Sequence, residues 1–82
     1  MYHLYILQCS DKTFYTGIAV DLKKRINGHN SGKLGAKYTR GRRPVKLVYS
    51  KKIKTRSKAL KEEYRIKNLT RYEKMKIIKN RA

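Results

Sequence analysis

Five carboxylates against 23 Lys and Arg leave few groups in this 82-residue chain that could act as acid, base or cation ligand. Three of the five have ordinary structural work. Asp11 lies in the turn-like Ser10-Asp11-Lys12, Asp21 can cap a helix, and Glu73 closes the capping box Thr70-x-x-Glu73. Glu62 and Glu63 are left. On a helix opened by Thr55 or Ser57 and running through Leu69, Ala59, Leu60 and Ile66 form the stripe that faces a sheet. Glu63 falls between Ala59 and Leu60 in angle, and Glu62 lies closer to Ile66 and Leu69. A carboxylate on such a stripe is costly to bury unless something binds it. A nearby lysine would make it an ion pair. A divalent cation would make it a ligand, because one carboxylate suffices for Mg²⁺ when waters and phosphate oxygens complete the octahedron.

Arg25 and His29 stand four residues apart and border Leu22 and Ile26 on one helix. A guanidinium can clamp a phosphate through two hydrogen bonds and stabilise charge that develops there. An imidazole beside it can hold the phosphate or move a proton. Chance accounts easily for one arginine among 23 cations, and a lone histidine on a helix usually sits at the surface or caps a terminus. Tyr2, Tyr5 and Tyr15, with Phe14, are rich enough in aromatic surface to be plain cross-strand sheet pairs. A phenol with pKa near 10 is a poor base at neutral pH unless nearby cations and a metal favour the phenolate.

The elements that would carry these groups follow from pattern. Tyr2 to Cys9 reads as a strand, Thr13 to Ala19 as its hairpin partner, and Asp21 opens a helix that ends at Asn30-Ser31-Gly32. Val45 to Ser50 reads as a third strand with Val45, Leu47 and Tyr49 on one face. The helix with the two glutamates comes next, then a last helix with Met75 and Ile78 at i,i+3. The order is β-β-α-β-α-α, an α+β domain with a small three-stranded antiparallel sheet flanked by helices. Length alone fits one domain over residues 1–82. Register decides whether Tyr5 and Tyr15 can cooperate. They share a face only if their strands pair with an even residue sum, which needs an odd-length loop or a bulge.

A formal net charge of +18 is best neutralised by a polyanion, and phosphate backbones do so by releasing condensed counterions. The stretch from Gly32 to Pro44 is rich in glycine and cations: Tyr38 could stack on a base while Lys37, Arg40, Arg42 and Arg43 bind backbone, or it could be a solvated connection. Nothing has transmembrane length, the N-terminus lacks the layout of a signal peptide, and the single Cys9 cannot form an internal disulfide, so a cytoplasmic protein without membrane attachment is expected.

These residues also carry a resemblance. His3-Leu4-Tyr5, followed ten residues later by Tyr15-Thr16-Gly17, resembles the paired tripeptides that name the GIY-YIG nuclease superfamily. Arg25, His29 and Asn30 follow at matching positions, and Ala59-Leu60-Lys61-Glu62-Glu63-Tyr64 is similar to the helix bearing the family's metal-binding glutamate. Tyr38 to Tyr49 and Ile66 to Arg71 are similar to its short stand-alone bacterial branch, so the likeness spans essentially the whole chain. There are departures: His3 replaces a glycine, Thr16 an isoleucine, and Ile18 stands where some repair nucleases have a lysine. The resemblance implies an endonuclease that hydrolyses phosphodiesters in nucleic acid, DNA more than RNA, with one Mg²⁺ or Mn²⁺. It puts metal binding on Glu63, catalysis on Tyr5, Tyr15, Arg25 and His29, and adds Lys67 to the nucleic-acid contacts. The rival is a basic nucleic-acid binder that keeps this fold without useful turnover, and a third possibility is a subunit of a larger assembly.

Overall fold

The structure, a computed structural model, describes residues 1–31 and 41–80. Three strands, β1 (Tyr2–Gln8), β2 (Phe14–Ala19) and β3 (Lys46–Ile53), form an antiparallel sheet in the order β2-β1-β3. Helix α1 (Leu22–Ser31) follows β2, and α2 (Arg56–Lys67) and α3 (Arg71–Asn80) follow β3. The expected β-β-α-β-α-α order and the α+β sheet are what the chain forms. No helix among the described residues is long and apolar enough to cross a membrane.

Strand β1 is central and covered on both faces, so it reads as a near-continuous apolar run rather than an alternating one. Leu4 and Ile6 join Ile53, Ala59 and Ile66 in a cluster on the face under α2 and α3. Tyr5, Leu7 and Cys9 join Ala19 and Val45 on the opposite face, where Leu22 and Ile26 of α1 pack. Each such aliphatic side chain contributes about 1.5–3 kcal/mol when fully buried. Burial also pushes the Cys9 thiol up from its ordinary pKa, which fits an inert core thiol.

The hairpin turns on three residues, Ser10 to Lys12. The Lys12 amide donates to the Cys9 carbonyl at 3.0 Å, and the Cys9 amide to the Thr13 carbonyl at 2.8 Å. Lys12 takes φ 71, the left-handed position that three-residue hairpin loops require. Asp11 Oδ1 accepts from the Thr13 amide and hydroxyl, which pins the turn. The odd loop gives an even residue sum: Tyr5 pairs with Gly17 and Leu7 with Tyr15. Tyr5 and Tyr15 therefore share a face.

Strand β3 departs from expectation. Leu7 pairs with Leu47 but Ile6 pairs with Tyr49, so Val48 is an extra residue and the register shifts there. Val45 and Leu47 stay on the α1 face, whereas Tyr49 turns to the other face and packs with Val48 against the Leu4 cluster. Strict alternation misplaced Tyr49 because a bulge resets the period. The strand also runs on to Ile53, past the expected end at Ser50.

Helix α2 is capped by Thr55, whose hydroxyl accepts from the Lys58 amide at 3.2 Å. Its buried residues are Ala59 and Ile66, while Leu60, expected on the stripe, is 40% exposed. The core-facing stripe is narrower than drawn. Glu62 and Glu63 occupy its two margins. Helix α3 begins with the anticipated capping box, in which the Thr70 amide donates to Glu73 Oε1 and the Glu73 amide to Thr70 Oγ1. Ile77 and Ile78 of α3 pack on the sheet, whereas Met75 is half exposed.

Thr16 has a buried hydroxyl with no hydrogen-bond partner among the described residues. It pairs with Ile6, on the face away from α1. Thr16→Val keeps the shape and removes the orphan, so it should stabilise the fold by about 1 kcal/mol. That corresponds to a rise in Tm of roughly 4–8 °C for a domain of this size. Calorimetry checks it, and an unchanged or lower Tm would mean the hydroxyl is satisfied in solution.

Candidate active site

Gly17 is where the site is built. A Cβ placed on it would lie 2.6 Å from the Tyr5 hydroxyl, 2.8 Å from Tyr5 Cζ and 3.2 Å from Tyr15 Cε2. The Tyr5 ring therefore lies across the strand into space that only glycine leaves open. From there the Tyr5 hydroxyl meets His29 Nε2 at 3.0 Å. The three rings form a triangle, with centroids 6.4 Å apart for Tyr5 and Tyr15, 6.0 Å for Tyr5 and His29, and 5.2 Å for Tyr15 and His29. Tyr5 and His29 are almost wholly buried, at 2% and 1% exposure, and Tyr15 is half-buried at the rim.

Helix α1 delivers His29. Asp21 caps it by accepting from the Lys24 amide at 3.0 Å, and Leu22 and Ile26 seat it on the sheet. At its far end Asn30 clamps the start of β3, accepting from the Val45 amide at 2.7 Å and donating to the Val45 carbonyl at 3.2 Å. Arg25, one turn before His29, is exposed.

Burial sets the protonation states. It pushes the Tyr5 phenol well above its ordinary pKa of 10.0, Tyr15 and the Glu63 carboxylate add to the rise, and Arg25 opposes it. Burial also lowers His29 below the ordinary 6.5, and the Arg25 charge lowers it further. At neutral pH the pair is a protonated phenol against an uncharged imidazole.

The two glutamates of α2 are not equivalent. Glu62 is held by Lys51 of β3 at 3.3 Å and by Arg65, and Arg65 first among its neighbours keeps its carboxyl below the usual range. That is the ion-pair role foreseen for a carboxylate on this stripe. Among the described residues Glu63 has one cation, Lys67 at 3.4 Å one turn along the helix. Both side chains are 19% exposed. Among the described residues no three His, Cys, Asp or Glu side chains gather as a cage for a metal ion.

The remaining sequence candidates scatter. Lys67 stands beside Glu63. Arg42 pairs with Asp11 at 2.9 Å and its carbonyl accepts from the Ser10 amide, so it ties the segment before β3 to the hairpin. Arg43 donates to the Asn30 carbonyl at 3.3 Å. Lys37, Tyr38 and Arg40 lie outside the described residues. Sequence reasoning passed over Arg56, which lines a cleft with Tyr2, Ile18, Ala19, Val20 and Arg25. One arginine in a chain with 23 Lys and Arg gives no signal of its own.

Fold and site together define a class: a β-β-α-β-α-α domain whose hairpin tyrosines meet a buried histidine beneath the first helix. A model of the GIY-YIG catalytic domain matches residues 1–76, and the chain belongs to the GIY-YIG family. Within it the similar relatives are UPF0213 proteins. One from Syntrophus aciditrophicus is 54% identical over 77 residues, covering 94% of this chain and 88% of the relative. Another, from Staphylococcus aureus, is 53% identical over 78 residues, covering 95% and 94%. Among solved structures, the solution NMR structure of the UPF0213 protein from Bacillus halodurans matches with TM-score 0.62 and 42% identity, over 96% of this chain and 84% of that one. A protein from E. faecalis, also solved by NMR, matches with TM-score 0.65 and 41% identity, over 95% and 82%.

Proposed function

We propose that this protein is a cytoplasmic, divalent-metal-dependent endonuclease that hydrolyses phosphodiester bonds in nucleic acid, DNA in preference to RNA. The observation that carries the reading is the meeting of Tyr5, Tyr15 and His29 over Gly17, with Arg25 one turn before His29 on α1. The donor chemistry suits a hard cation. Glu63 offers one half-buried carboxylate and no cage of described residues surrounds it, which fits an ion such as Mg²⁺ or Mn²⁺ that keeps several waters and takes phosphate oxygens. Bound by Glu63, such an ion supplies Lewis-acid polarisation of the phosphate and charge neutralisation.

The chain's own groups do the rest. Arg25, exposed one turn before His29 on α1, contacts the scissile phosphate and stabilises its added negative charge. Tyr15, at the rim, orients the attacking water. Tyr5 stays protonated and positions His29 through their hydrogen bond, and the uncharged imidazole is the group able to take up a proton near neutral pH. Lys67, Arg42, Arg43 and the segment containing Lys37, Tyr38 and Arg40 extend phosphate contacts away from the scissile bond.

The test is cleavage of single-stranded, duplex and branched DNA and RNA with Mg²⁺ or Mn²⁺, repeated across pH. Activity on at least one DNA form is expected, flat near neutrality and falling in acid as His29 protonates below 6.5. Stability follows a related curve. The unfolded chain protonates at this position before the folded one does, so the fold loses stability as pH drops below about 6.5. His29→Gln should remove the acid limb of both curves. No cleavage anywhere in the panel leaves a nucleic-acid binder that keeps the fold.

A further inference from the structure

We infer that Arg56 is a second phosphate-binding residue, which grips the nucleic-acid backbone beside the scissile bond from the opposite side of the sheet to Arg25. This rests on the nucleic-acid reading above but not on turnover. Arg25 projects from α1, which covers the Tyr5 face, whereas Arg56 opens α2, which covers the Leu4 face. The two nevertheless line one cleft, at the end of the sheet where β2 finishes and β1 begins. The rest of the cleft's lining, Tyr2, Ile18, Ala19 and Val20, is apolar apart from one phenol.

Among the described residues neither arginine has a carboxylate partner, while all five acids are engaged elsewhere. Asp11 holds Arg42, Asp21 and Glu73 cap helices, Glu62 holds Lys51 and Arg65, and Glu63 holds Lys67. Two guanidiniums lining one largely apolar cleft repel each other unless an anion lies between or along them. A sugar-phosphate strand supplies what such a cleft lacks, phosphate oxygens for the two forks and an apolar sugar face for Ile18 and Val20.

Helix geometry then sets where on the strand Arg56 acts. Arg56 and Glu63 lie seven residues apart on one flank of α2, two turns or about 10 Å. That spacing sets the guanidinium fork nearer a neighbouring phosphate than the one Glu63 serves. Arg56 holds a flanking phosphate while Glu63 serves the scissile one, so the substrate strand runs along this flank of α2. A nucleic acid cut at this site needs several nucleotides on the Arg56 side.

Affinity of fluorescein-labelled oligonucleotides without divalent metal, measured from 50 to 200 mM salt, tests this apart from cleavage. Arg56→Ala should weaken binding several-fold at the lower salt. It should also reduce the slope of log affinity against log salt by about 0.7 on single strands or 0.9 on duplex. Lys58→Ala removes an equal charge from the exposed first turn of α2, outside the cleft, and should change affinity much less. Ile18→Lys added to Arg56→Ala puts a cation back into the same cleft and should restore most of the lost affinity. Equal losses in the Arg56 and Lys58 variants, or an Arg56→Ala slope equal to that of the unsubstituted protein, would overturn the inference alone. An unsubstituted protein that binds no oligonucleotide would overturn it together with the nucleic-acid reading.

Discussion

Glu63→Gln should reduce cleavage by about 10²–10³-fold, the scale of losing an electrostatic contact made to the reacting phosphate. Nucleic-acid binding should survive, or tighten slightly, because a negative charge facing a polyanion is removed. The fold should barely notice. Among the described residues Glu63 is paired with the half-exposed Lys67 at i,i+4, and such pairs contribute about 0.3–0.5 kcal/mol. Glu62→Gln reverses the pattern. It breaks the link from Lys51 of β3 to Arg65 of α2, so it should cost up to about 1 kcal/mol and leave turnover near that of the unsubstituted protein. Rates, affinities and Tm for both variants decide the matter. Equal rate losses in the two would show a general electrostatic effect, and a Glu63→Gln protein that cleaves normally would remove the metal ligand.

That contrast was half visible in the sequence. A helical wheel puts Glu63 between Ala59 and Leu60 and Glu62 toward Ile66 and Leu69, but only the strand beyond the helix tells their roles apart. Lys51 reaches Glu62 because Leu4 pairs with Lys51, which turns that lysine toward the helix-covered face. Local signals were legible wherever chemistry is local. The Asp21 cap, the Thr70–Glu73 box and the Tyr5–Tyr15 parity each depend on residues close in sequence or on the length of one loop. The Val48 bulge was not legible, because an inserted residue leaves no trace in the composition of a branched, aromatic strand. Leu60 was misplaced for a related reason. Its angle on the wheel is near Glu63, and which of two neighbouring angles faces the sheet depends on how α2 sits across β1 and β2. Arg56 was invisible because its distinction is a cleft shared with a residue 31 positions earlier.

Gly17→Ala should destabilise the protein and disable the site together, although the usual rule points the other way. The Gly17 backbone lies in a strand without positive φ, and Gly→Ala at such a position ordinarily stabilises by about 0.4–1 kcal/mol through the unfolded chain. Here the new methyl would come within 2.6 Å of the Tyr5 hydroxyl and 2.8 Å of its ring carbon. Tyr5 is buried and hydrogen-bonded to His29, so it is not a loose tip that can swing aside. Overpacking of this kind costs about 1–3 kcal/mol, which outweighs the entropic gain and predicts a Tm several degrees lower. Moving the ring also breaks the 3.0 Å contact to His29, so cleavage should fall with stability. A double-mutant cycle separates the clash from any general intolerance of strand β2. With Tyr5→Leu the atoms that meet the methyl are gone, and adding Gly17→Ala to that background should cost little or stabilise. An equal cost in both backgrounds would assign the clash to Tyr15, whose Cε2 lies 3.2 Å from the same point, and Gly17 would then serve the rim of the triangle rather than its buried pair.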